Sequence, residues 1–144
     1  GKPEPASKHD AYLNIGRAHI YARVGQLDAA RALLTQIPAS DLARMPVQYG
    51  DLGALCELAE IHVALGDQGG ARALYPKLEP FAHRNAVGPS FEYRGAVAYD
   101  MGLLARLLGH RDDALRHFAQ AREINQALGM RASVEDAERE LASG

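Results

Sequence analysis

Hydrophobic residues along most of the chain recur at steps of three and four positions, which is the period of an amphipathic helix. Leu104, Leu107 and Leu108 follow this spacing, and Leu115 and Phe118 continue it. Alternation with a period of two, which marks a half-buried strand, is nearly absent. The pattern therefore predicts an all-α fold.

Glycines and prolines divide this pattern into seven predicted helices. They span about residues 7–24, 27–37, 48–65, 68–82, 90–108, 111–128 and 132–142. We expect linkers at residues 38–46 and 83–89, where prolines interrupt the helical pattern. Pro76 lies inside the fourth predicted helix, where a proline removes a backbone hydrogen bond, so we expect a bend or break near residues 73–76.

The chain also contains a repeat, marked by three glycines that lie 41 and 43 residues apart. Each has a small residue seven positions before it, an alanine five positions after it and a large side chain nine positions after it. The three sets are Ala18, Gly25, Ala30 and Leu34; Ala59, Gly66, Ala71 and Tyr75; and Gly102, Gly109, Ala114 and Phe118. Small residues let two helices approach closely, and a glycine at positive φ ends the first of them. Such a repeat is typical of a helical solenoid.

These positions resemble the tetratricopeptide repeat, a pair of antiparallel helices with small residues where they touch. The third set is the clearest, with Ala121 added at the family's spacing. The linkers are longer than in the 34-residue consensus, so the chain resembles a divergent form. The resemblance implies a right-handed superhelix of three helix pairs plus a C-terminal helix.

We therefore predict a flexible lead-in at residues 1–6 and a single helical-repeat domain at residues 7–144. Its units are expected at about residues 7–37, 48–82 and 90–128, followed by the C-terminal helix at 132–142.

A narrower resemblance covers residues 55–135, in which the segments PFAHRN and ALGMRA stand out. This region is similar to the repeats of large bacterial signalling regulators that carry an ATP-binding module, often with a LuxR-type DNA-binding domain or a cyclase domain. The resemblance implies a module that senses partners or ligands. The chain itself contains no GKT or GKS phosphate loop and no DNA-reading helix.

Charge and composition exclude several classes of partner. The net charge of −2 argues against binding nucleic acid directly or an anionic membrane surface. No apolar run approaches the roughly 20 residues of a membrane span, and no signal peptide is evident. The single cysteine, Cys56, lies in an apolar run, so we expect a buried, unreactive thiol and a cytoplasmic setting.

The stretch LGHRDDALRHF, residues 108–118, is the main candidate for chemistry because it contains an HRD triplet. A kinase loop needs Asn five residues after the aspartate, and His117 occupies that position. His110 and His117 lie roughly 10 Å apart along a helix, too far to share a metal ion. Asp112 and Asp113 suit a helix start, where carboxylates face free N–H groups. We therefore predict a structural turn, with histidines that are exposed or pack on a neighbouring unit, and no catalytic residue, metal site or cofactor.

In tetratricopeptide arrays the first helix of each pair lines a concave groove. Carried over residue by residue, the resemblance implies a partner-binding groove formed by Tyr12, His19, Arg23, Glu60, Tyr99, Leu103 and Arg106. Aromatic and arginine side chains suit such a surface, since they combine contact area with directed polar contacts. The Lys and Asn pattern of members that clamp a C-terminal carboxylate is absent, so a C-terminal peptide tail is not the favoured ligand.

The predicted function is thus a non-enzymatic interaction or sensor module of a bacterial signalling or transcription regulator, with a protein or peptide in its groove. Two alternatives stay open at this point. One is a receptor for a small metabolite, and the other is an architectural module that forms a homo-oligomer.

Overall fold

The computed structural model describes residues 8–37, 51–87 and 93–143. These ranges contain seven α-helices, one 3₁₀ turn and two short strands. In chain order they are α1 Lys8–Arg23, α2 Leu27–Leu34, α3 Asp51–Leu65, α4 Gln68–Leu78, the 3₁₀ turn Glu79–Phe81, β1 Asn85–Val87, β2 Tyr93–Ala96, α5 Val97–Leu107, α6 Arg111–Ala127 and α7 Arg131–Ser143. This predominance of helix confirms the predicted all-α class.

The turns that end α1, α3, α5 and α6 share one backbone geometry. Each contains a glycine at positive φ: Gly25 at 82°, Gly66 at 66°, Gly109 at 83° and Gly129 at 70°. The N–H of the next residue reaches back to the carbonyl five positions earlier, as in a Schellman cap. These bonds, 2.8–2.9 Å long, join Gln26 to Tyr21, Asp67 to His62, His110 to Ala105, and Met130 to Asn125. The repeated glycine thus marks the same turn each time, as its spacing predicts.

The small residues of the repeat lie where helices meet. We call α1 and α2 unit one, α3 and α4 unit two, and α5 and α6 unit three. All six predicted small positions are buried: Ala18, Ala30, Ala59, Ala71, Gly102 and Ala114. Within each unit the two helices contact each other, and α3 contacts both α1 and α5. The first helices of the three units therefore lie in sequence side by side, and α7 packs on α6.

The main hydrophobic core runs through units one and two and into the start of unit three. Ile15, Leu55, Ile61, Leu78 and Leu104 are fully buried in it. Two smaller clusters lie under α6 and α7 and include Ala121, Ala137 and Phe118. Partly buried residues link these clusters: Val63 and Tyr75 contact both the main core and the Phe118 cluster, and Tyr99 contacts both smaller clusters.

The prediction of one helix at residues 90–108 is wrong in part, because α5 begins only at Val97. The preceding segment Tyr93–Ala96 pairs antiparallel with Asn85–Val87, inside the predicted linker. Gly95 has φ of 98°, which a helix cannot contain, and the Ala96 N–H bonds to a side chain of α6 rather than within a helix. The hairpin therefore replaces the first turns of the predicted helix.

Of the bend or break expected near residues 73–76, a break does not occur, since α4 continues through Pro76 to Leu78 and then tightens into the 3₁₀ turn. A proline so near a helix end removes only one bond of the last turns. The second helix ends at Leu34, three residues before its predicted limit of 37. Expectations for residues 1–7, 38–50, 88–92 and 144 lie outside the described residues.

Within the described ranges, none of the helices combines the length and apolar character that a membrane crossing requires.

Candidate functional site

The side-by-side arrangement of the first helices brings several predicted groove residues together. His19 of α1 is buried, and its Nε2 lies 3.5 Å from Oε1 of Glu60 on α3. Tyr12 is half-buried, whereas Arg23 is exposed at the end of α1. Units one and two therefore meet through a histidine–carboxylate contact at predicted groove positions.

The groove positions of unit three face the C-terminal helix. The Tyr99 hydroxyl donates to Oε1 of Glu140 at 3.4 Å, and Arg106 forms an ion pair with the same carboxylate. The Arg106 guanidinium also lies over the ring of Phe118, 5.4 Å from its centroid. Leu103 is buried nearby, in a cluster that includes a leucine of α7. Helix α7 thus extends the row of first helices.

A small cleft opens between these helices and involves two of the predicted residues, Glu60 and Tyr99. Its volume is about 100 Å³, and α3, β2, α5, α6 and α7 all contribute to it. The lining residues are Glu60, Gly95, Ala96, Tyr99, Asp100, Asn125, Ser133 and Asp136. The cleft is mostly polar and lies at the point where unit two, unit three and α7 meet.

The wall of this cleft is held in place by Asn125, which is almost completely buried. Its Oδ1 accepts a hydrogen bond of 3.0 Å from the N–H of Ala96, at the junction of β2 and α5. A Cβ on Gly95 would come within 3.1 Å of the Ser133 hydroxyl oxygen, so the strand approaches α7 closely. The hairpin that replaced the predicted helix therefore helps to shape the cleft.

Electrostatics in the cleft favour positive charge. The pKa of Tyr99 is raised, first by burial and then by the negative charges of Glu140, Asp136, Asp100 and Glu60. Both causes oppose formation of a further negative charge at the hydroxyl. A carboxylate-lined site of this kind suits an ammonium or guanidinium group, which pairs with carboxylates through charge-assisted hydrogen bonds.

Sequence reasoning missed Asp100, Asn125, Ser133 and Asp136, which complete the cleft. Asn125 carries a weak signal, because it occupies a position of the buried face of α6 where an apolar residue would be expected. The other three come together through tertiary contacts between elements distant in sequence. No local spacing indicates that meeting.

The HRD stretch forms the turn before α6 and the first residues of that helix, as predicted. His117 is buried, and its Nε2 lies 2.7 Å from the hydroxyl of Tyr75 in unit two, whereas His110 is exposed. Burial, with the nearby Arg116 charge, lowers the pKa of His117.

The equivalent turn of unit two precedes α4. There the Asp67 carboxylate accepts a hydrogen bond of 2.9 Å from the N–H of Gly70, so Asp67 is the N-cap residue of α4.

A further expectation concerns the cysteine. Cys56 is fully buried, as its apolar surroundings predict. Across the part of the chain that the structure describes, no three or more His, Cys, Asp or Glu side chains cluster in a way that could hold a metal ion.

Comparison of the chain with protein-family models, with curated proteins and with solved structures finds no match.

Proposed function

We propose that the chain is a tetratricopeptide-like binding module, a right-handed superhelix that holds a partner against the row of its first helices. Three features support the arrangement: the repeated Schellman turns, the buried small residues, and the contacts of α3 with both α1 and α5. Repeat stacking of this kind produces an extended surface rather than a deep pocket, which suits a binding role.

One observation carries the proposal. Polar side chains occupy successive helices: His19 contacts Glu60, Glu60 and Tyr99 line one cleft, and Tyr99 contacts Glu140. The cleft lies beside these side chains. A segment of a partner protein that lies along them could therefore insert one side chain into the cleft. Because the cleft is lined by carboxylates and a tyrosine hydroxyl, that side chain would be lysine or arginine.

At this cleft, the volume favours a side chain of a peptide over an enclosed metabolite. Pockets that enclose drug-sized ligands have volumes of about 300–1,000 Å³, whereas this cleft has about 100 Å³. It has room for the head group of one side chain, and the rest of the partner would lie outside. A regulatory context of the kind suggested by the PFAHRN and ALGMRA segments would place a protein partner there, without chemistry by the module itself.

The proposal is tested by titrating the ¹⁵N-labelled protein with N-acetyl-arginine amide and with its uncharged analogue N-acetyl-citrulline amide. We expect saturable shifts for the amides of Gly95, Ala96 and Ser133 with the arginine compound only, because only it carries the positive charge. Shifts of equal size with citrulline, or shifts scattered over the surface, would contradict the assignment.

Matched variants locate the effect. Asp136→Asn removes one charge of the cleft with little change of shape, and we expect it to weaken binding of the arginine compound severalfold. Glu135→Gln, next to it on α7 but exposed and outside the cleft, is the control and should leave binding unchanged. Equal losses for both variants would indicate a general charge effect instead of a site.

A further inference from the structure

Helix α1 exposes an apolar stripe on the face that points away from unit two. Ile20 is 63% exposed, Val24 65% and Leu13 46%, and Tyr21 is also exposed. These positions lie at steps of three, four and seven residues, so they share one side of the helix. We call Leu13, Ile20, Tyr21 and Val24 the head surface.

The repeat shows what this face does elsewhere. In the repeat, each residue of α1 corresponds to the residue of α3 that lies 41 positions later. Leu13, Ile20 and Tyr21 therefore match Ala54, Ile61 and His62, which are all buried. A further shift of 43 positions leads to α5, where the matching residues are Val97, Leu104 and Ala105, also buried. Val24 corresponds to Leu65 and Leu108, which are half-buried. The same face is thus covered in units two and three.

The difference has a simple origin. Helix α3 is preceded by unit one and α5 by unit two, and each packs against its predecessor. No described unit precedes α1. The head surface therefore has the shape and polarity of a face that receives another helix pair, and an exposed apolar patch of this kind marks an interaction site.

The opposite end of the array offers a complementary surface. Leu128, at the end of α6, is 51% exposed, and beside it an open cleft of about 360 Å³ is lined in part by Met130, Val134, Glu135 and Glu138. We call these five residues the tail surface. It combines aliphatic side chains with two exposed carboxylates, and the exposed Arg131 also lines the cleft.

The charges of the two ends are opposite in sign. Residues 10–23 of helix α1, whose side chains the structure describes, include two arginines and one acidic residue, Asp10, for a net charge of +1. Helix α7 contains two arginines against four acidic residues, for a net charge of −2. Opposite potentials favour encounter of these two ends and disfavour contact of either end with itself.

We propose that the head surface of one molecule docks on the tail surface of a second copy, so that the helical array continues from one molecule into the next. The contact is heterologous, because two different surfaces meet. Repetition of such a contact leads to rings or open chains instead of a closed dimer.

Sedimentation velocity of the whole chain over a concentration series up to about 1 mM, a range that covers weak protein association, gives the first test. We expect the average mass to rise with concentration and to pass the dimer. The double variants Ile20→Asp with Val24→Asp (head-blocked) and Leu128→Asp with Glu138→Arg (tail-blocked) should each raise the dissociation constant at least tenfold. Ala73→Asp, at an exposed position of α4, is the control and should behave as the native chain.

A mixing experiment separates this contact from other modes of association. The head-blocked variant keeps its tail surface and the tail-blocked variant keeps its head surface, so an equimolar mixture should form a 1:1 complex that grows no further. The proposal is overturned if the native chain stays monomeric throughout, if the tail-blocked variant still self-associates, or if the mixture forms no complex. All altered positions are exposed, and circular dichroism confirms that each variant is folded.

Discussion

The first helices of units one and three occupy the same place in the repeat but have very different surroundings. Helix α5 is buried along most of its length, from Val97 to Ala105, because it lies between unit two, α6 and α7. Among the described residues, helix α1 packs against α2 and α3 and leaves Ile20 and Val24 exposed. The two helices thus differ in how much of their surface is buried, since burial depends on what packs against each face.

The largest difference is expected at the large side chain that follows each glycine. Phe118 in unit three is almost fully buried, whereas its counterpart Leu34 in unit one is half-exposed. Phe118→Ala should lower the free energy of unfolding by about 3–5 kcal/mol, and Leu34→Ala by about 1–2 kcal/mol, since less area is lost and less cavity is left. Urea unfolding followed by circular dichroism measures both. Equal losses would mean that the two units are equally packed.

A second test compares glycines inside the two first helices. A Cβ on Gly102 of α5 would lie 2.5 Å from the ring of Phe118, whereas a Cβ on Gly16 of α1 would have only the Glu57 carboxylate near it, at 4.0 Å. Gly102→Ala should therefore destabilise the protein by about 1–3 kcal/mol through overpacking. Gly16→Ala should raise stability by up to about 1 kcal/mol, because alanine favours helix.

Thermal unfolding of both glycine variants gives opposite shifts if the comparison holds. A rise of the melting temperature for Gly102→Ala would show that the Phe118 ring moves aside easily, and that α5 and α6 do not require close approach at this position.

A third test weakens the contacts between α7 and the first helix of unit three. Glu140 on α7 accepts from Tyr99 and pairs with Arg106, and Glu140→Gln weakens both contacts. Because Arg106 is partly exposed, we expect a loss of only about 1 kcal/mol. Hydrogen exchange should become faster in residues 131–143 and in α5 but stay unchanged in α1. The control is Glu135→Gln, at an exposed position of α7 outside the cleft, which should leave exchange in α5 nearly unchanged.

The smallest effect concerns pH at the boundary of units two and three. Burial lowers the pKa of His117 below its usual 6.5, against the opposing charges of Asp113 and Glu79. Between the pKa of His117 in the folded protein and its pKa of 6.5 in the unfolded chain, the unfolded chain binds more protons. The contribution of His117 to the free energy of unfolding is therefore complete above pH 6.5 and declines as the pH falls below it. His62 in unit two has its pKa lowered by burial as well and acts in the same direction.

Melting temperatures between pH 7.5 and 5 measure this effect. His117→Gln should flatten the decline in part, because Gln does not titrate and His62 still contributes. His110→Gln, at an exposed position of the same turn, is the matched control and should leave the profile unchanged. A native profile that is flat, or that rises toward pH 5, would contradict the direction.

How far the candidate site could be predicted depends on the residue. The repeat alignment placed His19, Glu60 and Tyr99 on first helices, and in the structure His19 contacts Glu60, which lines one cleft with Tyr99. The repeat alignment could not indicate Asp136, because α7 has no counterpart in the three aligned sets. Nor could it indicate that Arg106 pairs with Glu140, since these residues are 34 positions apart and meet only after α7 packs.

The amino-acid sequence by itself determined the helices, their glycine turns and the small residues between them. All three depend on local physics: the 3.6-residue period, the freedom of glycine at positive φ, and the volume of a side chain. Only the tertiary structure decided that residues 93–96 form a strand, that the cleft gathers residues from five elements, and that α1 keeps an open face. Those outcomes depend on which segments become neighbours, and contacts between distant segments leave no periodic signal along the chain.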